Sequence, residues 1–492
     1  MKDFLKQVDS IKDFGTPLTD DKQLAEALSG RQRQFSTAQR EILVEILEKQ
    51  NPNLNEYEAQ SMEKLKSGAF TVTTGHQLMV CGGTAFFEIK ILGAIALANR
   101  IEKETGTSVV PIFWMATEDH DFEEIASFRV NGQKFTWSSA QTGGPVGRIE
   151  VDSLAAQLEK FLSTADLNKA QHAMLHSRLA SYKKASNLAE ATRDIVRKWA
   201  GQFGVLVIDG DDAGLKQSAS LIWEKELNGE LSYRILQTTE SLTGQGYKAQ
   251  VYPREINLFS LEDAKRERIL RSMDLAPVDI SPNALLRPVY QEFVLPNLVY
   301  VGGGGELAYW LQIGGVFKDL EIPMPLLYLR DSVVPLSVKA QKKLEQLGLK
   351  VEDVLNESYA DLVNRHVESK HDISLQEQRI NGELQRAIEQ WQGRLTMEFP
   401  ELGGHSEAIA QGMLNKLGRS TKSRTRVLKA REATWTNRLN SVREEIFPNN
   451  TFWERYASYA DLLNFFEEDP KSELVEKLST IKAGTYILFS EK

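Results

Sequence analysis

The run "SVVPIFWMA", Ser108 to Ala116, is apolar almost without a break and ends abruptly in Thr-Glu-Asp-His-Asp. A strand with no polar face must be covered on both sides, which is the situation of a parallel sheet flanked by helices. The preceding residues agree. "AFTVTT" (69–74) is β-branched and strand-like, and "GTAFFEIKILGAIALANRIEKE" (83–104) is a long apolar helix. Residues 69–117 therefore spell strand, loop, helix, strand, one βαβ unit. Further buried strands follow in "GVLVIDGDDAGLKQ" (204–217), "NLVYVGGGG" (297–305) and "MPLLYLRD" (324–331), with helical text between them. The expected fold class is α/β, a doubly wound core.

Around that core the text divides. Residues 1–68 read as an N-terminal helical segment: Ser36 precedes "TAQREILVEILEKQN" as an N-cap, Ile42, Leu43, Ile46 and Leu47 are expected on one face, and Gly68 stops the next helix. The core is expected over 69–370, with an insertion near 130–200 that opens on a Gly-rich β excursion and continues as helices. Ile373, Ile380, Leu384, Ile388, Trp391 and Leu395 recur at coiled-coil spacing, as do Leu428, Trp435, Leu439, Val442 and Ile446. "EFPELGGH" between them is a turn. Residues 371–447 thus read as a C-terminal antiparallel coiled coil, and 448–492, rich in aromatics, as a segment docking back on the core.

Composition narrows the function classes. The formal charge of −9 argues against a nucleic-acid partner. No apolar stretch is long enough to span a membrane, and the start lacks the apolar region of a signal peptide. One cysteine in 492 residues excludes an internal disulfide framework. A cytoplasmic setting is expected.

Three segments carry groups that could do chemistry. The first is the turn after the first strand, Thr74, Gly75, His76 and Gln77. There a helix start would offer N–H groups to an anion, although neither GxGxxG nor GxxxxGK[ST] is present. The second is the strand end with Glu118, Asp119, His120 and Asp121, where open α/β sheets bind ligands. Three carboxylates and an imidazole crowded there would raise carboxylate pKa values and supply a general base, or hold an amine or sugar hydroxyls. Their spacing fits no standard metal-ligand set, and no metal ligands are assigned. The third holds Asn283 and Arg287, which could clamp a carboxylate or phosphate, followed by Gly302, Gly303, Gly304, Gly305, Glu306 and Tyr309. Each has a plainer alternative: a tight turn with a satisfied histidine, a solvated acidic helix start, a permissive loop. Cys81 reads as a buried packing thiol, and the basic stretch 418–426 as a solvated helix face.

Together, "TTGHQLMVCGGTAFFEIKILGAIALA", "VVPIFWMATEDHDFEEI" and "SPNALLRPVYQEFVLPNLVYVGGGGELAYWLQ" resemble the bacillithiol biosynthesis enzymes that add cysteine to glucosaminyl-malate. The likeness covers essentially the whole chain, through to "FPNNTFWERY". It implies a nucleotidyltransferase-type Rossmann-like core with connecting insertions and a coiled coil mediating a homodimer. It also implies an amide-forming ligase acting on cysteine and glucosaminyl-malate, with ATP or another nucleotide as the expected cofactor. The 74–77 turn would then correspond to the HIGH-like loop of adenylating enzymes, with His76 catalytic beside the four strand-end residues. No Lys-Met-Ser-Lys-Ser equivalent is visible. A non-catalytic ligand-binding scaffold, or an adenylyltransferase on another small substrate, are the alternative readings.

Overall fold

In the computed structural model, residues 5–6, 9–31, 35–262, 265–271, 273–371, 373–466, 468–479 and 483–490 are described. Five strands form one parallel sheet: β1 (Phe70–His76), β2 (Val109–Met115), β3 (Leu206–Asp209), β4 (Asn297–Gly302) and β5 (Leu326–Leu329), in the order β5-β4-β1-β2-β3. Phe70 lies opposite Val109 and His76 opposite Met115, and Met115 in turn pairs with Asp209. Every residue of β2 is buried, as its composition requires. The chain runs outward from β1 to β3, then returns to the other side of β1 for β4 and β5. The direction reverses between β1 and β4, and the crevice of such a sheet lies beyond the carboxyl ends of those strands.

The helices before β1 close one sheet edge. Helix α1 (Thr37–Gln50) starts at a capping box of Ser36 and Gln39, and α2 (Glu56–Lys66) at one of Asn55 and Glu58; each such cap is worth about 1 kcal/mol. Just past α1, Asn51 donates to Val207 O at 2.8 Å, and Gln50 accepts from Asp209 N at 2.7 Å. The free backbone of edge strand β3 is thereby satisfied rather than left to pair with another chain. Helix α3 (Phe86–Thr105) crosses from β1 to β2 and is buried for most of its length, with Gly106 in the left-handed conformation as its stop.

The insertion begins as a hairpin, Ser127–Val130 with Gln133–Thr136, turned by Asn131-Gly132, both at positive φ. Three helices follow: Asp152–Leu162, Lys169–Lys184 and Leu188–Ala200. A small antiparallel sheet of Leu258–Ser260, Glu267–Arg268 and Ile280–Pro282 precedes α4 (Arg287–Val294), and β4 runs straight into α5 (Gly304–Gln312).

Residues 1–335 and 454–489 make one compact unit, and 336–453 with 490–492 make another. The division falls at Pro335, earlier than the expected 371, because Val338–Leu347 packs on α8 (Ala433–Ile446) of the helical unit. In that unit α6 (Ile373–Glu398) and α7 (Gly403–Arg431) lie against each other, joined by a turn at Pro400–Leu402. Leu428, Leu439, Val442 and Ile446 are buried, whereas Ile380, Leu384 and Trp391 are exposed. The side chain of Ile373 lies outside the described residues. Arg419, Lys422 and Arg426 are exposed on α7, a solvated face as expected.

Candidate active site

A cleft of about 930 Å³ opens at the carboxyl ends of β1, β2 and β4, and all three segments singled out in the sequence contribute to its walls. Gly75, His76 and Gln77 come from the first, Glu118 and Asp119 from the second, and Asn283, Arg287, Gly303, Gly305, Glu306 and Tyr309 from the third. Thr74, His120, Asp121, Gly302 and Gly304 are not among its lining residues.

The β1 turn differs from an anion-gripping helix start. Residues 77–85 separate His76 from α3, so the turn's amides do not sit on the helix axis. The Thr74 hydroxyl donates to Val301 O at 2.8 Å inside the sheet. Within the intervening loop, Gly82 has φ +75 and an added Cβ would overlap the Glu88 carboxylate, so only glycine fits. Cys81 is buried beside it, and burial pushes its thiol up to about 12. The Arg178 guanidinium bonds Cys81 O and pairs with Glu88 at 2.6 Å, pinning the loop from behind.

His76 packs against the rings of Phe86 and Phe87, with centroids 5.5 and 5.3 Å away. Burial, helped by the Lys90 ammonium, pulls its pKa down to about 4, so the ring is neutral near pH 7. Nδ1 lies 3.0 Å from Gln77 O. A carbonyl only accepts, so Nδ1 carries the proton and Nε2 is an acceptor. The ring can accept a hydrogen bond from a ligand.

The strand-end acids part company. Asp121 accepts from Glu124 N and caps the short helix Phe122–Ile125. Asp119 accepts from His120 N at 2.7 Å and from Gln77 Nε2 at 2.6 Å, and Gln77 also bonds Glu124. His120 turns to Arg266, whose Nη1 lies 2.9 Å from Nδ1. Glu118 alone is buried against the cleft, 8% exposed. Burial pushes its carboxyl up to about 7, against the pull of Lys216, 2.7 Å away.

The third segment is more ordered than a permissive loop. Gly302 ends β4, Gly303 caps α5, and none of the four glycines has positive φ. Glu306 reaches back to accept from Gly303 N at 2.8 Å, so the helix start is occupied by its own carboxylate. That carboxylate also meets Lys90 Nζ at 2.6 Å and the Tyr300 hydroxyl at 2.9 Å. Burial works against its charge, yet Lys90 prevails and holds its pKa down at about 2. Asn283 is spent internally: Oδ1 accepts from Leu285 N and Leu286 N, and Nδ2 donates to Asn257. Arg287 stays available. It bonds Gln291 at 3.0 Å and approaches the Tyr309 hydroxyl at 3.5 Å, with no carboxylate in ion-pair range among the described residues.

Other contributors carried no local signal or went unread. Arg254 and Arg455 line the cleft, likewise without an ion pair among the described residues, and Arg455 stacks 4.5 Å from the Phe86 ring. Arg455 lies far along the chain from the three segments, in no motif. Lys90 was findable: a lone lysine inside "FFEIKILGAIALA" must have a buried partner. Lys216 sat in the acidic turn after β3, read only as a strand end. Among the described residues, no three His, Cys, Asp or Glu side chains gather as a metal-binding group, and no helix is long and apolar enough to cross a membrane.

Comparison with known proteins gives consistent matches. Residues 1–275 and 269–331 match the family model "Bacillithiol biosynthesis BshC, N-terminal Rossmann-like domain". Residues 333–490 match "Bacillithiol biosynthesis BshC, C-terminal coiled-coil domain". A Flavobacterium johnsoniae protein named "Putative cysteine ligase BshC" is 33% identical, over 99% of this chain and 96% of its own length. Proteins of the same name from Cytophaga hutchinsonii and Christiangramia forsetii are 33% identical (97% of this chain, 92% of theirs) and 30% identical (99% and 94%).

Proposed function

We propose a function from one premise: this chain belongs to the bacillithiol biosynthesis BshC family. It is a ligase that joins the carboxyl group of cysteine to the glucosamine nitrogen of glucosaminyl-malate, giving bacillithiol. The observation that carries this reading is the division of labour in the cleft. Arg254, Arg287 and Arg455 line it with no carboxylate in ion-pair range among the described residues, and Glu118 lines it as a buried carboxyl poised near neutrality.

Malate brings two carboxylates, which guanidinium groups match in shape and charge. The attacking amine must shed a proton, and a carboxylate with a pKa near the working pH is suited to take it. In the bond-forming step the amine lone pair attacks the activated cysteine carbonyl, the proton passes to Glu118, and the leaving group departs with its oxygen. The neutral His76, with Nε2 as acceptor, can orient an N–H or O–H of the substrates. A nucleotide would supply the activation of the carboxyl, and its phosphates fit the same three guanidinium groups. Asp119 and Gln77 form the rim that would meet sugar hydroxyls. The exposed apolar stripe of Ile380, Leu384 and Trp391 supports a homodimer through the helical unit.

The test is direct. Purified protein is incubated with cysteine, glucosaminyl-malate and ATP, or with other nucleotides, and bacillithiol is measured by mass spectrometry. Product is expected from the native chain and at least about 100-fold less from Glu118→Gln. Absence of product under every nucleotide condition would sink the reading.

A further inference from the structure

Lys216 sits on the short helix Ala213–Ser218 behind the cleft and is 0% exposed. Its Nζ is 2.7 Å from Glu118, 2.6 Å from Asp211 and 3.2 Å from Val278 O. The ammonium donates to Asp211 and to Val278 O and lies against the Glu118 carboxylate as an ion pair, and with no exposed surface it cannot itself contact a ligand. A plain structural pin would join interior groups only, yet one of its partners, Glu118, lines the cleft.

The two carboxylates on this ammonium are not equivalent. Asp211 is also held by Arg148, through Nε at 2.8 Å and Nη2 at 2.9 Å. Glu118 has Lys216 as its one ion-pair partner among the described residues. Other groups face the same carboxyl at longer range: Arg266, just before the strand Glu267–Arg268, Tyr290 from α4, and Arg148. Of the charges around Glu118, Lys216 is the closest cation and Asp211 the closest anion bound to the same ammonium.

We propose that Lys216 is a positioning residue, which fixes the Glu118 carboxylate at the cleft wall and, balanced by Asp211, sets how tightly it holds a proton. This rests on Glu118 as the base and adds what tunes it. Removing the cation makes Glu118 a more reluctant acid. Removing the Asp211 charge frees Lys216 and Arg148 to favour the ionised form.

The experiment reads the carboxyl itself. In protein labelled with 13C at glutamate carboxyls, the Glu118 resonance is the one absent from Glu118→Gln, and its titration is followed by NMR. Lys216→Met should move its midpoint up by about one pH unit or more, and Asp211→Asn should move it down. A merely loosened pocket would move both variants the same way, toward an ordinary carboxylate. Should Lys216→Met fail to fold, Lys216→Gln takes its place: a raised midpoint supports the tuning, and an unchanged or lowered one overturns it. The pH profile of bacillithiol formation is measured in parallel. If the carboxyl moves and the profile does not, the tuning stands and the base assignment falls. If the carboxyl stays put in both folded variants, the tuning falls whatever the activity.

Discussion

Replacing Lys90 with methionine should strongly destabilise the cleft wall, of which Lys90 is a buried part. Lys90 is 1% exposed, and its ammonium joins Gly75 O at the end of β1 to Glu306 at the start of α5, both at 2.6 Å. Glu306 is held at about 2 against an ordinary 4.5. At 1.36 kcal/mol per pH unit this difference corresponds to about 3 kcal/mol at pH 7. The ammonium pays part of that back, because burial pulls its own pKa down. The net worth of the pair is thus smaller than the cost of breaking it. Lys90→Met strands a carboxylate and should lose about 3–5 kcal/mol. Lys90→Met/Glu306→Leu, with neither charge, should recover most of the loss. The pH dependence follows from the depressed carboxylate. Its contribution is complete above about 4.5 and fades as pH falls toward about 2, so the deficit of the single variant shrinks on acidification. Urea denaturation followed by tryptophan fluorescence measures this, with buried Trp310 on α5 reporting locally. A single variant within about 1 kcal/mol of the native chain, or a double variant as unstable as the single, would refute the reasoning.

Three further outcomes follow. His76, held at about 4 against an ordinary 6.5, makes its contribution in full above about 6.5, and this is lost as pH falls toward about 4; His76→Gln should flatten the stability profile across that window by up to about 3 kcal/mol. Cys81, buried with its thiol pushed up to about 12, should resist iodoacetamide at pH 8 in the native protein and react fully in urea, as read by intact mass; early labelling would contradict its placement. Leu384→Glu, on the exposed stripe, should turn dimer into monomer in light scattering, whereas Leu439→Glu, at a 0% exposed position, should instead destabilise the helical unit; a dimer that survives Leu384→Glu would move the interface elsewhere.

How much of this was legible depended on range. The βαβ unit could be read because a strand buried on both faces announces itself in composition, and because Ser36 and Gln39 cap α1 through local chemistry alone. The convergence of three segments followed from the sheet rule, since strand ends share one rim. The roles inside the cleft did not follow. Asp121 and Asn283 resemble ligand-binding groups in sequence, but the nearest unpaired N–H groups were those of their own backbone, and these took them. Glu306 likewise caps its own helix. The state of His76 could not be read, because it is set by Phe86 and Phe87 closing over the ring. Arg455 could not be read at all, because nothing local ties it to a site built far earlier in the chain.

That last residue has a consequence for how the protein is made. Glu454 clasps Arg330 and Arg455 reaches the cleft, yet both are encoded after the whole helical unit. During translation the sheet, the acids and Arg287 emerge first, and residues 336–453 must then be synthesised before the remaining guanidinium arrives. A nascent chain can fold its sheet early, but the cleft lacks its full set of cations until residue 455 has been added. A chain stopped before Arg455 would have the shape of the cleft without its full charge.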